Sequence, residues 1–283
     1  MSVDATSASD CEDLTIGSKR GGSHARITPT LELERELAGQ GFDLIIGLDE
    51  VGRGALAGPV MVGAAVVWSC DVGVLGIPEG VTDSKLLTEY KREAMFDGLL
   101  SWCAASAVGQ ASNTEIDEWG ISYALGIAAL RAINEVEREL NIGVASAACD
   151  AETSSGSSVA VSVDSGLSSG CFSGSDRPRV GAILDGPNNY ISKVAGTFDA
   201  PGVPILPDVT TKVKADQSCV LVSVASVIAK VTRDRLMVAL AQGNPNYAPY
   251  QWKRNKGYGS TAHREAIAQY GATPLHRVSW HLT

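Results

Sequence analysis

A chain of 283 residues with 45% apolar side chains can bury one large core, or one core with a small appendage. Its formal charge of −9 argues mildly, taken alone, against a nucleic-acid partner. No apolar run is long enough to cross a membrane and the N-terminus lacks a charged-then-apolar leader pattern, so a soluble cytoplasmic protein with no membrane partner is expected. Six cysteines are scattered without a C-x-x-C pair and only four histidines occur, which makes free thiols the expectation and argues against a zinc site.

Residues 1–40 read as an extension. Met1 to Ser23 is Ser/Asp/Gly-rich and cannot bury enough to order itself. Pro29 followed by Leu31 to Leu37 predicts a short amphipathic helix. The core, assigned to residues 41–240, begins near Phe42. Leu44 to Leu48 is an apolar run of strand length that delivers two adjacent carboxylates, Asp49 and Glu50. Gly52-Arg53-Gly54 follows, a permissive backbone around one positive charge, able to offer amide N–H groups to a ligand. Gly58-Pro59 prevents a helix from starting, and Val60 to Val67 predicts a second strand.

Three readings compete for this stretch. It could be a solvated turn. It could be a dinucleotide site, because Gly52, Gly54 and Ala57 satisfy G-x-G-x-x-A, but that fingerprint needs a helix where the sequence gives a strand. It could be a site for a hard divalent cation, since Mg²⁺ and Mn²⁺ take carboxylate oxygens.

Beyond a loop from Cys70 to Gly80, Thr82-Asp83-Ser84-Lys85 introduces a helix over Leu86 to Leu100; Lys85 alone reads as an exposed lysine. Ser101 to Ala111 predicts a third strand. Asn113 or Thr114 is placed to cap the next helix, and a longer one over Ile121 to Leu140 carries a core stripe of Leu125, Ala128, Ala129, Ala132 and Val136. Residues 144–179 shift to Ser, Gly, Ala and Asp and read as a flexible insertion without a core. Val180 to Leu184 is a strand delivering Asp185, which locally could be only a turn former before Gly186. A Pro-rich loop leads to a strand over Val209 to Lys214, then Asp216, which could be the N-cap of a helix over Val220 to Leu240. Asp234, flanked by Arg233 and Arg235, reads as a structural ion-pair residue.

Residues 241–283 are basic and aromatic. Tyr247, Tyr250, Trp252, Lys253, Arg254, Lys256 and Tyr258 interleave rings with cations, a mixture suited to sugars and phosphates. From Thr211 onward ten Lys and Arg face three acids, a balance of about +7 that leaves roughly −16 on the preceding part. Asp49 with Glu50, Asp185 and Asp216 recur at strand ends in an alternating α/β chain, and strand ends on one sheet edge converge. Four acids without a histidine partner describe a site for two hard cations, an arrangement suited to phosphodiester cleavage.

The blocks Asp49-Glu50-Val51-Gly52-Arg53-Gly54 with Leu56-Ala57-Gly58-Pro59, Asp83-Ser84-Lys85, Leu184-Asp185-Gly186, Lys214-Ala215-Asp216, Ala225 to Lys230 with Arg233-Asp234, and Asn255-Lys256-Gly257-Tyr258-Gly259 resemble bacterial ribonuclease HII, in that family's order. The resemblance runs from about Asp43 to the C-terminus, interrupted by the insertion. It implies a ribonuclease H-like mixed sheet flanked by helices with a small helical C-terminal region. It further implies a monomeric endonuclease using Mn²⁺ or Mg²⁺ on RNA–DNA hybrids and on ribonucleotide-containing duplex DNA, cutting 5′ of the ribonucleotide to leave 3′-hydroxyl and 5′-phosphate ends. By the same resemblance Asp49, Glu50, Asp185 and Asp216 are the catalytic metal ligands and Lys85 contacts the substrate backbone. Gly52, Arg53 and Gly54 would read the ribose 2′-hydroxyl while Tyr258 packs on the neighbouring deoxyribose. Ala55 departs from the Pro or Cys common there.

Overall fold

The computed structural model describes residues 28–142 and 177–283. The expectations of a disordered N-terminus and of a flexible insertion fall largely on residues 1–27 and 143–176, outside the described residues.

Pro29 and the amphipathic run behind it give helix α1, Glu32–Gly39. The apolar run then forms β1, Leu44–Val51, and the Val-rich run forms β2, Val60–Trp68, paired antiparallel to it. Strand β3, Ala105–Ala111, is antiparallel to β2; β4, Val180–Asp185, and β5, Asp208–Lys212, add to the other side of β1 in parallel. The sheet order is therefore β3-β2-β1-β4-β5, mixed, with β1 at its centre.

Strand alternation divides the core into two layers. Leu44, Ile46 and Leu48 of β1 face the core under helix α4, Ile121–Glu139, while Ile45 lies in the core under helix α7, Val220–Gly243. A strand covered on both faces must be apolar throughout, which is why β1 reads as a continuous run rather than an alternating one. Gly47 is required where α7 crosses, because a Cβ there would lie 2.4 Å from the carbonyl carbon of Leu221. Full burial of the first half of α7 makes it the central helix of the fold.

Several boundaries differ from the sequence expectation. Lys85 lies in a 3₁₀ turn, Ser84–Leu86, ahead of helix α2, Glu89–Trp102. Ser112 caps the short helix α3, Asn113–Trp119, in a capping box with Glu115, so neither Asn113 nor Thr114 is the cap. Beyond the short helix α5, Ile191–Val194, Asp216 belongs to a separate turn of helix, α6, Ala215–Ser218, and Cys219 precedes α7, which rules out the N-cap reading. Helix α8, Trp252–Asn255, and helix α9, Thr261–Tyr270, form the C-terminal region over their own apolar cluster. Cys103 and Cys219 are free and buried, whereas Cys70 is disulfide-bonded, contrary to the expectation of free thiols throughout. Among the described residues no helix is long and apolar enough to span a membrane.

Candidate active site

The parallel pairing of β1 with β4 runs to Leu48 opposite Leu184, and the next residue on each strand is a carboxylate, Asp49 and Asp185. Asp49 and Glu50 lie at the end of β1, as expected, where they are still paired with Gly63 and Val62 of β2. Asp49 is buried, and its Oδ1 accepts from the backbone N–H of Glu50 at 2.8 Å. Asp185 Oδ1 accepts from the N–H of Ala215 at 2.7 Å, which ties the end of β4 to the start of α6 and brings in buried Asp216. Lys214, in the left-handed region at φ 59°, turns the corner between them.

Burial raises the Asp49 carboxyl well above its usual range, and the charges of Glu50 and Asp185 raise it further. Glu50 is raised by burial and by Asp185, against the pull of Arg53. Asp216 is pushed up to about 6 by burial, then by Asp185 and Asp83, against the pull of Lys85. The four predicted acids therefore form one electrostatic neighbourhood. Lys85 sits among them with Nζ 3.5 Å from Asp216 Oδ2; partial burial disfavours its charge, but Asp49, Asp83 and Asp216 raise its pKa overall. Because its side chain is largely exposed, that pair adds little to stability.

Among the described residues no three His, Cys, Asp or Glu already close around one point as a metal cage. The fit to a hard cation lies in donor type and in charge. All four donors are carboxylates whose mutual repulsion a cation would relieve. Tyr190 Oη is buried and without a hydrogen-bond partner among the described residues; burial, then the charges of Glu50, Asp49 and Asp185, hold its pKa well above the usual range.

Beyond Val51 the chain turns at Gly52, φ +80°. A Cβ there would lie 2.1 Å from Arg233 Nε, so the position excludes any side chain. The Gly52 N–H donates to the Tyr258 hydroxyl at 3.1 Å, and the N–H groups of Leu56 and Ala57 donate to the Gly257 carbonyl at 2.8 and 3.2 Å. Lys230 and Arg233 lie 5.5 and 5.4 Å from the Tyr258 ring centroid. Exposed Arg53 pairs with Glu50 Oε1 at 3.3 Å. Gly52, Arg53, Tyr258 and Glu50 are thus brought into one edge, with Gly54 in the same loop.

Other expectations change. Tyr250 and Trp252 are buried, Trp252 donating to His263 Nε2 at 3.0 Å, so those rings support the C-terminal region instead of offering a stacking face. Lys256 is also buried, with its Nζ on the Lys253 carbonyl. Asp234 does pair ionically, but with Lys230 at 2.7 Å and Arg92 at 3.7 Å, not with Arg233 or Arg235. Asp83 stands inside a recognisable block, whereas Tyr190 and Arg277 have no local signal, since their surroundings come from distant segments.

The family model for ribonuclease HII matches residues 46–160 and 189–283. The unmatched stretch includes Asp185, whose inclusion rests on its position beside Asp49. Curated ribonucleases HII of Streptomyces griseus and Paracoccus denitrificans are 38% and 35% identical, each over 89% of this chain and over 84% and 91% of their own length. Ribonuclease H2 of Pyrococcus horikoshii OT3 matches in structure with a TM-score of 0.50 at 27% identity, over 84% of this chain and 94% of that one. Bst-RNase HIII, solved in complex with Mn²⁺, shares the fold at 20% identity and a TM-score of 0.53, over 87% of this chain and 70% of that one. The chain belongs to the ribonuclease HII family, metal-dependent endonucleases that hydrolyse RNA in RNA–DNA hybrids.

Proposed function

We propose that this enzyme incises duplex DNA on the 5′ side of a single embedded ribonucleotide as well as cutting longer hybrids, leaving 3′-hydroxyl and 5′-phosphate ends. The observation that carries the reading is the continuity of β1. Its last residues supply Asp49 and Glu50, and Gly52, next beyond Val51, is bonded to Tyr258. A group that recognises a ribose and the groups that bear on its phosphate therefore stand within a few residues of one another. The 2′-hydroxyl, both donor and acceptor, is what separates RNA from DNA at one position.

Asp49, Glu50, Asp185 and Asp216 would hold Mg²⁺ or Mn²⁺, two ions in the active complex; the Mn²⁺ complex of Bst-RNase HIII is in keeping with this. Such ions supply activation of water and stabilisation of the leaving oxygen. The chain's own part is positional. Asp185 sets α6 through the Ala215 N–H, Lys85 offers a charge to a phosphate once it leaves Asp216, and the Gly52 to Gly54 backbone meets the ribose. Hydrolysis breaks the bond from phosphorus to the 3′-oxygen of the preceding nucleotide, so the phosphate stays on the ribonucleotide. The basic 241–283 region grips the duplex through Tyr258 and its exposed lysine and arginine side chains.

The test is cleavage of a labelled duplex with one ribonucleotide, beside an all-DNA duplex and an RNA–DNA hybrid, with divalent metal or chelator, for wild type and Asp185→Asn. Metal-dependent cutting 5′ of the ribonucleotide, absent from the all-DNA duplex and lost in the variant, is the expected result. Cutting of the all-DNA duplex would overturn it.

A further inference from the structure

Two arginines, Arg233 and Arg277, are fully buried, and neither forms a salt bridge among the described residues. Burying an unpaired guanidinium is unfavourable unless its donors find acceptors, and here every nitrogen of both forks donates to a backbone carbonyl. Arg277 donates through Nη2 to the Gly52 carbonyl at 2.7 Å, through Nη1 to the Arg53 carbonyl at 2.9 Å, and through Nε and Nη2 to the Gly58 carbonyl, both at 3.1 Å. Arg233 takes the carbonyls of Pro59, Ala57 and Lys256 at 3.0, 3.1 and 2.9 Å. Between them they hold the loop from Gly52 to Pro59 by its oxygens.

Peptide planarity turns this into a statement about the amides. In a trans peptide the C=O and the N–H of the next residue lie in one plane and point opposite ways. Fixing the oxygens of Gly52 and Arg53 therefore aims the N–H groups of Arg53 and Gly54. Those two amides have no acceptor among the described residues. They are the ones free to meet a substrate oxygen.

We propose that Arg277, with Arg233 beside it, is a specificity-positioning residue: its rigid fork on the carbonyls of Gly52 and Arg53 aims the free Arg53 and Gly54 amides at the ribose. This rests on the reading that the loop recognises a ribose. Lysine retains the charge but offers one point of donation where arginine offers a planar fork, so Arg277→Lys separates geometry from charge.

The experiment measures affinity by fluorescence anisotropy for a duplex with one ribonucleotide and for its all-DNA counterpart, in the full-length Asp185→Asn background with and without Arg277→Lys. The expected result is a preference for the ribonucleotide duplex that falls about tenfold with Arg277→Lys, while all-DNA affinity changes less than about twofold. An unchanged preference, or equal loss on both duplexes as a purely structural role would give, overturns the inference and leaves the ribose reading standing. No preference before the substitution overturns both. If Arg277→Lys does not fold, NMR of the Asp185→Asn protein decides. The Arg53 and Gly54 amides should shift with the ribonucleotide duplex only, and the Arg277 guanidinium protons should exchange slowly with solvent; fast exchange overturns the proposal.

Discussion

The backbone N–H of Gly52 and the hydroxyl of Tyr258, separated by 206 positions in sequence, are joined by a hydrogen bond of 3.1 Å. The segment that follows β1 and the segment that presents the ring are therefore one unit. Tyr258→Phe keeps the ring and removes the acceptor. Its expected effect is a loss of about tenfold or more in kcat/KM on the single-ribonucleotide duplex with little change in thermal stability, read by steady-state kinetics beside a melting curve.

Gly52→Ala is expected to damage stability and activity together. The added Cβ meets Arg233, itself anchored to three carbonyls, and the residue must hold φ +80°. Strain of this kind costs roughly 1 to 3 kcal/mol before any clash is counted. Denaturant unfolding should show at least that loss, and unaltered stability would contradict the packing described.

Asp49→Asn should separate function from stability. Its carboxylate is buried and repelled by Glu50 and Asp185, so the amide relieves an unfavourable charge in the metal-free protein. Cleavage should fall more than roughly a hundredfold, beyond the loss usual for outer partners of a metal site. The melting temperature in chelator should stay level or rise.

Glu137 makes stability depend on pH away from the site. It is fully buried, one oxygen accepting from the Ile205 N–H at 2.9 Å and the other lacking a partner among the described residues, and burial pushes its pKa up to about 7. The folded state thus holds this proton more tightly than the unfolded one. The contribution is complete below the ordinary glutamate value and is lost as pH rises to about 7. Glu137→Gln should gain on wild type across that window, by up to roughly 3 kcal/mol at pH 8. Urea unfolding at pH 5 and pH 8 checks the sign, and a pH-independent difference would refute it.

Local pattern alone determined the α/β class, the core strands β1, β2 and β4, the long helices α4 and α7, and the order of the acids at strand ends. These follow from short-range chemistry: apolar runs of strand length, helical spacing, and Gly and Pro as punctuation. Sequence could not decide that β1 continues past Leu48 to Val51, because that depends on how far β2 accompanies β1 after its pairing with β4 has ended. Nor could it distinguish Tyr250 and Trp252, which are buried, from Tyr258, which meets the Gly52 loop, since all three sit in the same aromatic and basic stretch. Arg277 is the clearest case. In sequence it is one cation near the C-terminus; in the fold it lies under a loop more than two hundred residues earlier, with its fork on that loop's carbonyls. A buried arginine has no local signature, because what permits its burial is a set of acceptors that only the folded chain assembles.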